Sequence, residues 1–379
     1  MQFNEIIGHD ETKQTLIRAV QNNHVAHALL FDGPPGSATL ALALAFAAYV
    51  NCEDRQPTDA CGRCASCIKM RKLVHPDVYP VFPVASTPKL KGNTSEAFMP
   101  LWRDFVGQHP YRTLPEWLDF FGADNKQGNI SAEEARNIVR KLSLKAYEGA
   151  YKVMIIWLPE LMNVTSANAL LKVLEEPPPQ TLFLLATNAA DKLLITILSR
   201  TQRVAVRAFT DDEVAMHLRQ HLNLDEKRAR QVAYLADGNL SEALQMVGDE
   251  PDRDRGLDRH AWFADWMRLC YRQDLIALVK QADQFDALTK EKQKGLMDYS
   301  LSLCRDLFLW KHQATPLLRL PEEERTFIDN FAKVLEVPHL ERVIDGLNEA
   351  SYHIERNARA KMVMLDLSLY VSRLIRGGK

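Results

Sequence analysis

The chain has 379 residues, which is too long for one ordinary domain and indicates two or three. Hydrophobic residues make up 46% of it and charged residues 25%, a balance that excludes a disordered or fibrous chain. With 47 basic against 49 acidic residues the net charge is -2, so the chain is no general nucleic-acid coater, although a local basic patch stays open.

The sequence contains no run of 18 apolar residues, so we expect no membrane span. Its opening residues, MQFNEIIGHDE, are polar and acidic and do not resemble a secretory signal. The six cysteines are too few for a disulfide scaffold in a chain of this size. We expect a cytoplasmic location and no membrane partner.

The first two hundred residues alternate between helical and strand patterns. Helical patterns cover 11–23, 39–50, the residues after 131, and 168–174, and apolar strand patterns cover 28–31, 78–84, 153–158 and 182–186. The capping box Ser131-x-x-Glu134 marks one helix start. Two prolines within 78–84 favour an edge strand. Apolar strands separated by helices predict an α/β fold with a parallel sheet.

Residues 85–127 interrupt this alternation and look like an insertion. Gly, Pro and Asn punctuate the segment, and aromatic residues are interleaved along it. Pro100 and Pro115 are each expected in the first turn of a short helix. The simpler interpretation is a small satellite that packs on its own aromatic side chains, and a partner surface is the alternative.

After residue 209 the pattern becomes helical. A second capping box, Thr210-x-x-Glu213, opens this part, and Asp-Gly-Asn at 237–239 separates two helices. The charged stretch 249–255 is the predicted linker. An apolar stripe near the end of the chain illustrates the helical spacing: Met362, Leu365 and Leu369. The expected parts are an α/β module over 1–208, a small helical part over 209–250 and an all-α part over 256–379.

The loop from Gly33 through Gly36 follows a strand and opens a helix, as a phosphate-binding loop does. Ala38 stands in place of the second glycine of G-x-x-x-x-G-K-[ST], Thr39 in place of the lysine, and Leu40 in place of the hydroxyl that ligates Mg²⁺. Backbone N–H groups at the helix start still favour an anion. Stabilisation of a transferring phosphoryl group is nevertheless mostly lost.

The strand at 153–158 has a second defect of the same kind. An NTPase of this type ends a buried strand with two acidic residues, one for the metal and one for the attacking water. Trp157 and Leu158 occupy those two positions, and only Glu160, a little further on, is acidic. Two independent defects predict that the chain does not hydrolyse ATP. Sequence drift with retained activity is the alternative.

Four cysteines lie within sixteen residues: Cys52, Cys61, Cys64 and Cys67. Four thiolates suffice for a closed tetrahedral Zn²⁺ site, which leaves no open position and is therefore structural. A redox dithiol and an iron–sulfur cluster are the alternatives. A nucleic-acid-binding role for this loop is a further hypothesis, which the near-neutral charge disfavours.

Several motifs occur together in the chain: F-x-x-IIG at 3–8, HALLF-x-GP at 27–34, the cysteine set, HPD at 75–77, NALLKVLEEPP at 168–178, ATN at 186–188, SR at 199–200 and, more weakly, RNA at 356–358. This combination resembles the delta-prime family of bacterial DNA polymerase III clamp-loader subunits, which belong to the AAA+ class. The resemblance is strong over residues 1–208 and weaker beyond.

The resemblance implies an AAA+ module with a zinc loop, a helical lid over 209–250 and a C-terminal collar domain. It implies a heteropentamer with delta and gamma/tau subunits that places a sliding clamp on primed DNA during replication. It also implies a subunit that does not hydrolyse ATP and is not an enzyme by itself, within a holoenzyme that is a DNA-directed DNA polymerase. The alternative is a catalytically active gamma/tau-type ATPase with an atypical loop.

By the same resemblance, Arg200 is an arginine finger that acts in trans on a neighbour's ATP. Thr201 follows it, where the family has cysteine. Asn188 corresponds to the γ-phosphate sensor and would be a relic here. Ser241 stands where AAA+ ATPases usually place a nucleotide-sensing arginine. Taken without the resemblance, Arg200 is a surface ion pair or a helix-end arginine.

Overall fold

The computed structural model describes residues 1–87, 90–123, 126–143, 145–248, 259–314, 322–356 and 358–375. The chain divides into two compact units, Met1–Met246 and Val247–Lys379. No helix in the described ranges is long and apolar enough to cross a bilayer. The predicted linker at 249–255 and Asn357 of the RNA motif lie outside the described residues, and the predicted three-part division stays a prediction.

The first unit is built on a parallel sheet, as predicted; the sheet has five strands, one more than the four predicted, in the order β2-β3-β4-β1-β5. The strands are β1 (Ala28–Asp32), β2 (Val78–Val81), β3 (Lys152–Trp157), β4 (Thr181–Thr187) and β5 (Gln202–Ala205). Every residue of β3 and β4 is buried, because helices cover both faces of such a sheet. The proline-containing β2 lies at one edge, also as predicted.

Eleven helices begin in the described part of the first unit: α1 (Asp10–Gln21), α2 (Thr39–Val50), α3 (Ala65–Arg71), α4 (Ser95–Gln108), α5 (Leu114–Phe120), α6 (Ala132–Leu142), α7 (Val164–Glu175), α8 (Ile195–Leu198), α9 (Asp211–Leu222), α10 (Glu226–Ala236) and α11 (Leu240–Gly248). Helix α2 is buried along its whole length, which explains its alanine- and leucine-rich sequence. It positions the phosphate loop at its first turn.

One local prediction within the first unit is wrong, and a second is confirmed only in part, since α6 begins at Ala132 after Ser131 as predicted but without the full capping box. Pro100 lies inside α4 and not in its first turn, because three aromatic side chains at helical spacing bury one face of a longer helix. Glu134 does not complete the capping box with Ser131, although the Ser131 hydroxyl does accept the Glu134 N–H at 3.2 Å. The Glu134 carboxylate instead accepts the backbone N–H of Ser95.

The described part of the second unit is all-α, as predicted. Its helices are α12 (Arg259–Arg272), α13 (Leu275–Asp286), α14 (Lys290–Lys311), α15 (Glu322–Ala332), α16 (Val337–Glu355) and α17 (Ala360–Ile375). Within α17 the predicted stripe is the more exposed one, with Met362 at 61% and Leu369 at 38% exposure. The core takes a second stripe at the same spacing: Met364, Leu367, Val371 and Leu374.

Candidate functional site

The carboxyl ends of β1, β3 and β4 bring the predicted nucleotide-site residues to one edge of the sheet. The Gly33 N–H donates to the Thr187 carbonyl at 3.3 Å, and the Asn188 amide donates to the Gly33 carbonyl at 2.8 Å. Asn188, which the family resemblance predicts to be a relic phosphate sensor, therefore has a partner within its own chain. Parallel pairing places this edge where α/β proteins bind ligands.

The phosphate loop is closed over by the start of α11. The Leu240 N–H donates to the Gly36 carbonyl at 3.3 Å. Gly36 has a φ of +74°, and a Cβ there would lie 1.7 Å from the Asn239 Oδ1. The three residues after Ser37, which are Ala38, Thr39 and Leu40, are also buried. The second half of the loop is therefore packed against protein, whereas the prolines at its tip are exposed.

One polar group of the loop has no hydrogen-bond partner within the part of the chain that the structure describes. The Ser37 hydroxyl is buried, and no hydrogen bond to it is found among the described residues. A buried hydroxyl of this kind costs free energy unless water or a ligand satisfies it. An anion at the helix start is one such ligand, and nucleotide binding is therefore a quantity to measure separately from hydrolysis.

The two positions that hold acidic groups in an NTPase are apolar and packed. Trp157 is 2% exposed, and its ring lies 5.0 Å from that of Trp102 and 6.4 Å from that of Phe105. Leu158 is buried with a left-handed backbone, at a φ of 54°. Neither position offers an oxygen ligand to a metal ion.

Glu160, the one acidic residue close by, is used inside the protein. Its carboxylate accepts the Thr187 hydroxyl at 2.8 Å and the Asn188 N–H at 3.0 Å. Burial raises the pKa of Glu160. The carboxylate therefore fixes the end of β4, which is a structural task.

Arg200 lies between α8 and β5 in the chain, beside the amino ends of β1 and β5 and so at the edge of the sheet opposite the carboxyl ends. Its guanidinium pairs with the Glu175 carboxylate and donates to the Thr196 carbonyl at 2.7 Å. The side chain is 30% exposed, so part of the guanidinium reaches solvent. This geometry matches the surface ion pair that the residues alone suggest, and it leaves the arginine accessible from outside.

A cleft of about 610 Å³ opens beside Arg200. Its lining is Ala26, His27, Ala28, Leu174, Glu175, Ser199, Arg200, Thr201 and Gln202. His27 has a structural role there, since its Nε2 forms a hydrogen bond at 2.9 Å with the Leu174 carbonyl at the end of α7. The cleft thus combines residues of the HALLF, LEEPP and SR motifs.

The four clustered cysteines form a site that fits a metal ion. Their sulfur atoms all lie within 4.8 Å of one another. The Cys61 and Cys67 sulfurs are 4.0 Å apart, close to the roughly 3.8 Å expected for a tetrahedral zinc–thiolate site. A hydrogen bond from the Arg63 backbone lowers the pKa of the Cys61 thiol to about 7, whereas burial raises that of Cys52. The donor set and its spacing suit Zn²⁺.

The same loop binds residues near the start of the chain. The Asp59 carboxylate accepts the backbone N–H groups of Phe3 at 3.0 Å and Asn4 at 2.9 Å. It thereby fixes the 3₁₀ turn Phe3–Glu5 against the loop.

Two basic residues of the cysteine loop are already paired. Arg63 lies 3.0 Å from Asp54, and Lys69 lies 2.5 Å from Glu148. Such pairing lowers the charge available to a phosphate backbone. The arrangement therefore does not favour a nucleic-acid interface on these two residues.

Sequence reasoning missed two contacts next to these sites. It did not identify Glu175 as the partner of Arg200, although Glu175 lies in a quoted motif. It also missed the bond at 2.5 Å from the Ser241 hydroxyl to Glu116. The spacing Thr113-x-x-Glu116 is a capping-box signal, and the structure has that box, so the helix start was detectable from sequence.

The family model and the sequence relatives reported below are those of DNA polymerase III subunits. The family model described as DNA polymerase III, delta subunit, matches residues 8–210, which is more than half of the chain. The delta' subunit of Yersinia pestis is 29% identical over 324 residues, covering 83% of this chain and 79% of that protein. The tau subunit of Bacillus subtilis is 27% identical over 250 residues, covering 65% of this chain and 37% of that protein.

Two further matches are a second delta' subunit and a solved structure. The delta' subunit of Escherichia coli K12 is 28% identical over 187 residues, covering 49% of this chain and 44% of that protein. A solved gamma subunit-related protein from Thermotoga maritima is 16% identical with a TM-score of 0.40, covering 96% of this chain and all of that one.

Proposed function

The chain belongs to the family described as DNA polymerase III, delta subunit, and from that premise we propose that it is a non-hydrolysing, delta-prime-like subunit of the clamp loader that supplies Arg200 to a neighbour's ATP. Its partners in this proposal are gamma/tau and delta subunits. Through them it acts on the sliding clamp and primed DNA. The all-α second unit is the proposed oligomerisation collar.

The observation that carries this proposal is the pairing of a packed nucleotide site with an accessible arginine in one unit. Thr39 and Leu40 cannot supply the charge and the metal ligand that phosphoryl transfer needs. Trp157 lies among aromatic rings where a metal would be held. These features support an inactive site within the chain itself.

Arg200 has the features that a residue acting in trans requires. It is 30% exposed, it borders an open cleft, and it is anchored by the Thr196 carbonyl within the short helix α8. A fixed guanidinium spreads positive charge over the oxygens of a γ-phosphate, and such fingers accelerate hydrolysis on the order of 10³–10⁵-fold. A neighbour's phosphate would replace Glu175 as the anionic partner.

The test is single-turnover ATP hydrolysis by the reconstituted complex. Arg200→Ala should slow hydrolysis at the adjoining site on the order of 10³-fold or more, while the complex still assembles. Arg200→Lys should also be slow, because an ammonium cannot form the same two-pronged contact. Arg203→Ala, which removes an exposed arginine three residues away, is the matched control. Normal hydrolysis by an assembled Arg200→Ala complex would falsify the finger assignment.

The alternative function is an active gamma/tau-type ATPase, and tau subunits are among the relatives. ATP hydrolysis by the purified chain alone decides between the two. We expect none above background. Turnover by the lone chain, lost in a Ser37→Ala plus Thr39→Ala variant, would establish the alternative.

We also propose that the four cysteines hold one structural Zn²⁺. Bound zinc would supply a closed tetrahedral crosslink and no catalytic position. Metal analysis should give about one zinc per chain, and Cys64→Ser should abolish it. Cys304→Ser, which changes a buried cysteine of the second unit, should leave the zinc content unchanged.

A further inference from the structure

Residues 90–123, which are the long described part of the insertion, contact two parts of the first unit, namely the end of β3 and the helices α9 and α11. A nucleotide in an ATPase of this kind joins the acidic groups at the end of β3 to an arginine on the helices that follow the sheet. Both of those groups are replaced in this chain, by Trp157 and by Ser241. The insertion contacts both replacements.

Its contact with the end of β3 is aromatic. Trp102 stacks on Phe82 with ring centres 4.1 Å apart and meets Trp117 edge-on at 5.2 Å, and the same ring lies 5.0 Å from Trp157. The indole N–H of Trp117 donates to the Pro83 carbonyl at 2.8 Å, so the cluster has no unsatisfied indole at that point. Rings of this size bury large apolar areas and form a rigid contact.

Its contact with α9 and α11 is polar and aromatic. Glu116 accepts the Ser241 hydroxyl at 2.5 Å, and Ser241 is 1% exposed. Tyr111 is also buried, with its ring 5.6 Å from Phe209 and 6.0 Å from His217. A buried hydrogen bond to a charged acceptor is stronger than one between neutral groups.

The contacts continue back to the phosphate loop. Ser241 follows Leu240, whose N–H donates to the Gly36 carbonyl. Contacts therefore run from β3 through the insertion to α11 and from α11 to the loop that follows β1. A nucleotide would join the same elements.

We infer that residues 90–123 of the insertion are a built-in replacement for nucleotide, which hold helices α9–α11 against the sheet whether or not ATP is present. This inference rests on the proposed function only in requiring that the chain's own site does not hydrolyse ATP. Glu116 and Tyr111 are positioning residues in it. The consequence is a subunit whose helices α9–α11 keep one orientation throughout the ATP cycle of its neighbours.

Hydrogen exchange of the full chain tests the inference. Ser241→Ala removes one buried hydroxyl and should speed exchange of the α11 amides about five- to tenfold, because local opening loses one charge-assisted hydrogen bond. Exchange in β3 and β4 should not change, which shows that the variant is folded. Ser300→Ala is the matched control, since its buried hydroxyl donates to the Leu296 carbonyl within its own helix α14.

Two more measurements complete the test. Glu116→Ala should have the same effect on α11 as Ser241→Ala, and the double variant should add little, because both remove one interaction. Adding ATP should slow exchange in neither wild type nor variants. Unchanged α11 exchange in both single variants, or strong ATP protection of α11 in the wild type, overturns the inference. Neither result depends on Arg200 or on hydrolysis by the complex, so failure here and failure of the proposed function are distinguishable.

Discussion

Two regions of the first unit treat phosphate chemistry in opposite ways. Residues 36–40, where the phosphate loop enters α2, and the end of β3 are buried, with Trp157 packed among rings of the insertion, whereas Pro34 and Pro35 at the tip of the loop are exposed. The Arg200 cleft is open and charged, and the Arg200 guanidinium forms an ion pair with Glu175 at its edge. Under the proposed function this difference has a physical reason: a site that does not handle a ligand can become hydrophobic core, whereas a side chain that serves another chain stays at the surface.

The largest expected effect comes from trying to reopen the buried region. A variant carrying Thr39→Lys, Leu40→Thr, Trp157→Asp and Leu158→Glu restores the catalytic residue types. We expect no ATPase activity, because a carboxylate at 157 would be buried among aromatic rings. Losing the tryptophan alone costs about 3–5 kcal/mol of unfolding free energy, and the buried charge adds to that. Chemical denaturation and a phosphate-release assay measure both results.

The control for this variant carries only the two loop changes, Thr39→Lys and Leu40→Thr, and leaves Trp157 in place. It should lose less stability than the fourfold variant and should also be inactive. Turnover by the isolated fourfold variant would contradict the view that the region has become core.

A smaller effect is expected from acid, which should lower the free energy of unfolding. Burial is the main cause that lowers the pKa of His9, His109 and His217, each to about 4. The unfolded chain therefore binds more protons than the folded one between about pH 6.5 and pH 4. Stability is full above pH 6.5 and falls through this window, by on the order of 1–2 kcal/mol per histidine at pH 5.

Thermal melts between pH 7.5 and 5 measure this dependence. Replacing His109 and His217 by glutamine should flatten the curve. The changes His312→Gln and His353→Gln, at two surface positions of the second unit, form the matched control. A melting temperature that stays constant across this range in the wild type would show that the buried histidines do not resist protonation.

The smallest effect concerns the ion pair at the cleft. Glu175→Gln should leave the free energy of unfolding within about 1 kcal/mol of wild type, because partly exposed pairs contribute little. It should raise hydrolysis by the reconstituted complex by up to about fivefold, since Arg200 no longer has to leave a carboxylate. Glu226→Gln, which removes an exposed glutamate from the Arg230 pair, is the control. Slower hydrolysis by the Glu175→Gln complex would mean that Glu175 orients Arg200 and does not compete for it.

The sequence predicted what neighbouring residues or strong periodicity decide. Helix α2 has the predicted bounds, Thr39–Val50, and the cysteines converge because three of them lie in two adjoining C-x-x-C steps. The capping box Thr210-x-x-Glu213 forms with both of its hydrogen bonds. In each case the partners are a few residues apart or share one buried element.

The sequence did not predict what distant partners decide. Strand β5 was missed because its residues Gln202–Ala205 are mostly exposed at the sheet edge and carry no apolar run. The Glu134 carboxylate accepts the Ser95 N–H and does not complete the capping box. The Ser241 hydroxyl donates to Glu116, which lies 125 positions away in the chain. Helical periodicity in α17 is satisfied by two apolar stripes, and only packing selects the buried one.

The hydrogen bonds from the backbone N–H groups of Phe3 and Asn4 to the Asp59 carboxylate have a consequence for synthesis on the ribosome. A growing chain emerges from its amino end, so residues 3 and 4 leave the exit tunnel long before residue 59 does. Their backbone N–H groups cannot yet bond to this carboxylate while helix α1, strand β1 and helix α2 are being synthesised. The 3₁₀ turn at residues 3–5 can therefore be fixed only after the cysteine loop has emerged. Misfolding of that loop would leave exposed a segment that was translated some fifty residues earlier.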